Sequence, residues 1–242
     1  SCTDGVADFD CACDAGWEGA LCDADDGAPD PRIPSVSDVV LTRSNWKARP
    51  TKCTLDDPNK VKMAIHHTET PQKSGGTYEG RLRQIQAYHM DIQNYCDVGY
   101  HYLVTDDGRV WEGRPIAKLG AHVYEHNTGN IGISFVGCYH TSGCGGFGST
   151  SPSKASLSAA ANLIDALAKT YGIAKTPAKV KGHGEHQGAN TTCPGDNLLS
   201  RIPELLSQIP WWELAGGYAS AQDAIDAGIE PPAGWKPEPV EE

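Results

Sequence analysis

The 242-residue chain is notable first for what it lacks. No stretch approaches the roughly 18 uninterrupted apolar residues that a membrane helix needs, so the chain is expected to be soluble with no membrane span. The first ten residues, SCTDGVADFD, have neither the basic start nor the apolar core of a signal peptide. Lys and Arg are nowhere clustered or interleaved with aromatics, which removes a nucleic-acid footprint. No internal repeat is present. Residues 1–30 hold nine acidic residues and no Lys or Arg; residues 213–242 hold seven acidic residues and one basic residue, Lys236. Subtracted from the chain totals of 20 basic and 31 acidic residues, this leaves 19 basic and 15 acidic residues in the middle, a balance of +4. A mildly basic middle suits an anionic substrate, and a solvated mixed surface explains it equally well.

What is present begins with nine cysteines, at positions 2, 11, 13, 22, 53, 96, 138, 144 and 193. An odd count with local pairings points to an oxidising, secreted or extracytoplasmic compartment, with one sulfur left for other work. Cys193 is the candidate for that sulfur. The segment CACDAGWEGALCD (11–23) resembles the C-terminal half of an EGF-like module, which implies bridges Cys13–Cys22 and Cys2–Cys11. So small a piece buries almost no apolar surface, and cross-links stand in for the missing core. The expected organisation is therefore a disulfide-stapled module at 1–23, an acidic proline-containing linker at 24–37, a main domain at 38–212 and an acidic tail at 213–242, with a short helix near 219–227.

Within the main domain, KVKMAIHHT (60–68) reads as a buried strand ending in two histidines. RLRQIQAYHMDIQNYC (81–96) places Leu82, Ile85, His89, Ile92 and Cys96 at helical spacing on one inward face. GYHYLVTDDGRVWEG (99–113) is a hairpin turning at Asp107-Gly108, and NIGISFVG (130–137) is another strand. SPSKASLSAAANLIDALAKTYG (151–172) is a helix with Ser151 as its cap, Pro152 in the first turn and Gly172 at its end. Strands interspersed with helices give the fold class: α/β, a mixed central sheet flanked by helices.

The chemistry concentrates in GHGEHQGANTTCPGD (182–196), which puts His183, His186 and Cys193 in one loop. Two neutral imidazoles and one thiolate make a three-ligand tetrahedral zinc site with an open position. His66, at a strand end, joins His183 and Cys193 for that purpose, and His186 is a rival or fourth ligand. A cysteine nucleophile is the other reading, but Pro194 removes the backbone N–H that an oxyanion hole would take from the next residue.

RSNW (43–46), IHHT (65–68), CDVGYHYLVTDDGRVWEGR (96–114), GAH (120–122), NIGISFVG (130–137), GH (182–183) and TTCPGD (191–196) come in the order of the type-2 N-acetylmuramoyl-L-alanine amidases. That family includes the peptidoglycan recognition proteins, and the resemblance covers roughly residues 38–210. It implies the family's fold, one Zn²⁺ held by His66, His183 and Cys193, and hydrolysis of the amide between N-acetylmuramic acid and L-alanine of the stem peptide. It further implies Tyr100 and Thr191 as catalytic residues, His67, Thr68 and His122 as lining of the substrate groove, and bridges Cys53–Cys96 and Cys138–Cys144. The partner is peptidoglycan, met as a muropeptide by a monomer. Members that only bind the wall tend to lack the ligand cysteine or the tyrosine; both stand here. The chain departs from the typical pattern in the nine residues between His183 and Cys193, a longer loop than usual, and in Pro115-Ile116. Extra loop residues cost little, because closure entropy grows only logarithmically. No general acid is evident; Glu185 is the nearest carboxylate in sequence.

Overall fold

The computed structural model describes residues 34–145, 150–206 and 221–228. The expected module at 1–23, its two bridges, most of the linker and most of the tail lie outside the described residues. The described chain runs α1 (Val36–Val39), β1 (Val40–Leu41), β2 (Lys62–His67), α2 (Tyr78–Ala87), β3 (Tyr102–Val104), β4 (Val110–Glu112), β5 (Asn130–Phe135), α3 (Lys154–Tyr171), β6 (Val180–Gly182), α4 (Asp196–Leu199) and α5 (Ile202–Leu206), with a further short helix at Ala221–Asp226. The sheet order is β1-β4-β3-β5-β2-β6, and only the β3–β4 hairpin is antiparallel. This is a mixed central sheet with helices on both faces.

Alternation along the strands explains the two layers. Met63 and Ile65 of β2, Tyr102 and Val104 of β3, and Ile131, Ile133 and Phe135 of β5 pack with Leu157, Leu163, Ile164 and Leu167 of α3. Leu103 and Trp111 face the other way and pack with Trp46 and with Tyr78, Leu82 and Ile85 of α2. Strands covered on both faces read as nearly unbroken apolar runs, which is why β2 and β5 are so plain in the sequence. Truncating Leu163, wholly buried in α3, is expected to cost about 2–5 kcal/mol.

Helix ends differ from expectation in detail. The cap of α3 is Ser153, whose hydroxyl accepts from the Ser156 N–H at 3.0 Å, two residues after the expected Ser151; Gly172 ends the helix at φ +64° as expected. The expected single helix 81–96 instead starts at Tyr78, with Thr77 as cap, and after Ala87 opens into a π-helical turn, Tyr88–Ile92. The wider turn rotates the face, so Ile92 is 67% exposed rather than packed inward. Cys53 is bridged to Cys96, tying the segment before β2 to the end of this turn, and Cys138 to Cys144. Among the described residues, no helix is long and apolar enough to cross a membrane.

Candidate active site

The site forms where β2 ends, on the α2 side of the sheet. His66 is even-numbered like Ala64, so it points away from α3; it pairs in register with Ser134 of β5, and both are buried. β6 lies beside β2 and delivers His183 on the 3₁₀ turn His183–Glu185 directly after the strand. The following loop returns Cys193 to the end of β2, closed by a Gly184 N–H to Cys193 carbonyl bond of 2.8 Å. One donor atom each from His66, His183 and Cys193 then lie within 4.8 Å of one another. The His66 and His183 rings are 4.7 Å apart, and Cys193 Sγ is 3.7 Å from His66 Nδ1. Cys193 is the one unbridged cysteine among the described residues.

The tautomer of His66 follows from its neighbours. His122 Nε2 is 3.1 Å from the Asn130 carbonyl oxygen, which only accepts, so Nε2 carries the proton. Burial and the neighbouring His101 hold His122 neutral, so its Nδ1 is a lone pair, 3.0 Å from His66 Nε2. His66 must donate from Nε2, which leaves its Nδ1 lone pair turned towards Cys193. Burial and the surrounding histidines hold His66 neutral as well. A ligand imidazole whose outer N–H is held by a fixed acceptor is the usual arrangement at metal centres. Glycines make the slot for His122: a Cβ on Gly132 would stand 2.6 Å from its Cδ2, and one on Gly120 would stand 2.5 Å from it.

The residues fit a zinc ion. Two neutral imidazoles and a thiol converge, and the backbone N–H of His67 reaches the sulfur at 3.4 Å. Burial pushes the Cys193 thiol up to about 12, so as a free sulfur it stays protonated at neutral pH and is a poor attacking group. His183 is likewise held below its ordinary value by burial.

Other expected site residues sit differently. His122 does not line a groove; it is 8% exposed and serves as the acceptor for His66. His67 is not in the groove either. Strand alternation turns it to the opposite face from His66, where it is 4% exposed, accepts the Tyr139 N–H at 3.2 Å and meets His140 edge-on. His67 and His140 are grouped with Cys138, but that sulfur is spent in a bridge and offers no thiolate. Thr68 lines the cavity beside Tyr100 and accepts the Gly137 N–H at 3.0 Å. Tyr100 is half-buried with its ring 5.1 Å from that of His66, and burial raises its pKa, so the hydroxyl remains a donor. Thr191 is exposed, and its hydroxyl oxygen accepts the Cys193 N–H at 3.1 Å.

His186 is buried against His126, with ring centroids 5.7 Å apart, and does not join the ligand cluster. Glu185 accepts the Gly182 N–H at 2.7 Å, capping the turn that carries His183. Sequence reasoning missed that His89 lines the cavity beside Tyr100. His89 accepts the Gly99 N–H at 3.0 Å and lines the groove beside Tyr100, because the π turn carries it there.

The family described as N-acetylmuramoyl-L-alanine amidase matches residues 58–196. Human peptidoglycan recognition protein 3 is 34% identical over 178 residues, covering 72% of this chain and 49% of that protein. The pig N-acetylmuramoyl-L-alanine amidase is 30% identical over 172 residues, covering 68% of this chain and 27% of that one. The chain thus spans half or less of the length of these relatives. Among solved structures, peptidoglycan recognition protein-LE in complex with tracheal cytotoxin, a monomeric diaminopimelic acid-type peptidoglycan, superposes with a TM-score of 0.58 at 27% identity, over 69% of this chain and 93% of that one.

Proposed function

This chain belongs to the N-acetylmuramoyl-L-alanine amidase family, and we propose that it is a zinc-dependent hydrolase of the amide between N-acetylmuramic acid and L-alanine of the stem peptide in peptidoglycan. The observation that carries the reading is the convergence of His66, His183 and Cys193 donor atoms within 4.8 Å, with one His66 lone pair aimed inward. Zinc, when bound, supplies a nucleophile at neutral pH and Lewis-acid polarisation of the carbonyl. The protein's own groups do the rest. His122 and the Asn130 carbonyl hold the His66 tautomer, and the His67 N–H stabilises the Cys193 thiolate.

Tyr100, kept protonated by burial, donates to the oxygen that gains charge as the amide is attacked. A preorganised donor of this kind is worth roughly 3 kcal/mol of transition-state stabilisation. Thr191 braces the Cys193 backbone, and its O–H assists at the carbonyl. Glu185, committed to the turn, is not assigned the proton donor. Muropeptide occupies the groove beside Tyr100 and Thr68, a reading supported by the peptidoglycan ligand of the LE complex. We assign the amidase domain to 38–212, with the EGF-like fragment, acidic linker and tail as accessories to a secreted or extracytoplasmic monomer.

The test is metal analysis of the purified protein, followed by digestion of purified peptidoglycan. One zinc per chain, activity lost in EDTA and restored by zinc, and products with free L-alanine N-termini are expected. The competing reading is a recognition module that binds without cleaving, favoured by the recognition proteins among the relatives. Zinc-loaded protein that binds muropeptide and releases no new N-termini would decide for it.

A further inference from the structure

On the face of β2 opposite His66, a second set of donors surrounds the Cys138–Cys144 bridge. One donor atom each from His67, Cys138 and His140 lie within 4.8 Å of one another, and the bridge puts the Cys144 sulfur beside them. The tautomers of both histidines suit a metal. The Glu69 carboxylate, which only accepts, lies 3.2 Å from His140 Nε2, so Nε2 carries the proton and the lone pair of the neutral ring is on Nδ1. His67 accepts the Tyr139 N–H at 3.2 Å on Nδ1, so its lone pair is there too and faces the segment that joins Cys138 to His140. An imidazole whose outer N–H rests on a carboxylate is an arrangement that orients ligands at metal centres. Glu69 itself is left-handed at φ +54°, a strained backbone of the sort that concentrates at functional sites.

The segment has anchors other than the bridge. Tyr139, between the two donors, is wholly buried; its hydroxyl donates to the Val136 carbonyl at 3.1 Å and its own carbonyl accepts the Asn197 N–H at 2.9 Å. The bridge closes a loop of sequence separation 6, with Thr141, Ser142 and Gly143 exposed at its tip. Stabilisation by a cross-link grows with the loop it closes, so this bridge contributes less than Cys53–Cys96, whose separation is 43. Opening it releases two sulfurs beside two imidazoles and leaves the anchors of Tyr139 in place.

We propose that reduction of the Cys138–Cys144 bridge by a dithiol creates a second zinc site, formed by Cys138, Cys144, His67 and His140. The first step is thiol–disulfide exchange: the dithiol's two sulfurs join in a cyclic disulfide, and its two hydrogens end on Cys138 and Cys144. Zn²⁺ then binds as both thiols lose their protons to solvent and both imidazoles give their Nδ1 lone pairs, with His67 exchanging the Tyr139 N–H for the metal. Two thiolates and two imidazoles complete the tetrahedron and leave no position for water or substrate. The site is therefore structural and gated by redox state, unlike the three-ligand cluster at His66, which keeps a position open.

The experiment counts zinc on the full chain. Parent and Cys138→Ser/Cys144→Ser proteins are reduced with a dithiol, freed of it without air, loaded with zinc and desalted. The reduced parent should hold one zinc per chain more than the reduced double variant, because zinc on any other cysteine or on the His66 cluster is common to both and cancels. That increment stands whether or not the His66 cluster binds metal, so its failure and the failure of the amidase reading are told apart. Cobalt in place of zinc should give the parent thiolate-to-cobalt charge-transfer absorption beyond that of the double variant, and reoxidation should release the added metal. His140→Ala keeps the bridge and should lose the increment. Equal uptake by the reduced parent and the double variant overturns the site, as does a reduced parent that unfolds with zinc present. Should the double variant fail to fold, His140→Ala decides: zinc uptake on reduction equal to the parent's overturns the site. The added zinc already bound before reduction overturns the gate.

Discussion

Replacing His122 with alanine tests how the proposed metal centre is held without touching one of its proposed ligands. The ring's loss leaves the His66 Nε2–H with no acceptor in a buried site and the Asn130 carbonyl without its donor. The His66 proton can then sit on either ring nitrogen, and on Nδ1 it blocks the position that faces Cys193. Losing such an outer partner typically lowers metal affinity or activity by about 10–100-fold, which corresponds to about 1.4–2.8 kcal/mol. His122→Asn offers an amide oxygen near the former Nδ1 and should bind zinc within a few-fold of the parent. The assay is zinc competition against a chromophoric chelator at fixed pH. Urea unfolding of the zinc-free proteins separates the cost of the emptied ring volume from the effect on the metal. A folded His122→Ala protein with parental zinc affinity would refute the relay, and so would His122→Asn failing as badly as alanine.

Gly132→Ala drives a methyl into the His122 ring and should reproduce much of the zinc-affinity loss with every polar group still present; a parental zinc titration would show that the ring has room to move. Tyr100→Phe should retain one zinc per chain while turnover falls about 10²-fold or more, read by kinetics on a defined muropeptide. Breaking the Cys53–Cys96 bridge frees a loop with a sequence separation of 43 and should cost about 4 kcal/mol, lowering Tm by roughly 8–16 °C in calorimetry. His101 donates from Nε2 to the Lys118 carbonyl and accepts the Gly132 N–H at Nδ1, and burial pushes its pKa down to about 3. Below its unfolded value of about 6.5 the unfolded chain binds a proton that the folded chain refuses, so stability is complete above that pH and falls as pH drops towards 3. Urea midpoints measured from pH 7 to 4 should decline, and His101→Gln should flatten the slope by about one proton.

Much of the fold is legible in the residues because its strands are buried on both faces and the glycine that ends α3 is a local signal, whereas the cap falls at Ser153 rather than Ser151. The α2 region was less so. Helical spacing extends smoothly from Leu82 through Ile85 to Ile92, and nothing in the pattern announces that the ladder widens at Tyr88. That one change turns Ile92 outward and puts His89 into the groove.

The candidate ligands were legible as residue types with a family's spacing, whereas the roles of their neighbours depend on which way each side chain points. His66 and His67 are adjacent in sequence and lie on opposite faces of β2, a separation that strand alternation alone predicts from Met63 and Ile65. His122 looks like a groove residue when read with GAH; its position only makes sense beside Gly120 and Gly132, which are 12 residues apart in sequence and together leave space for one imidazole. A glycine before a histidine and a glycine inside a buried strand are therefore a joint signal. Each is weak alone, and the pair identifies the side chain that must fill the space they leave.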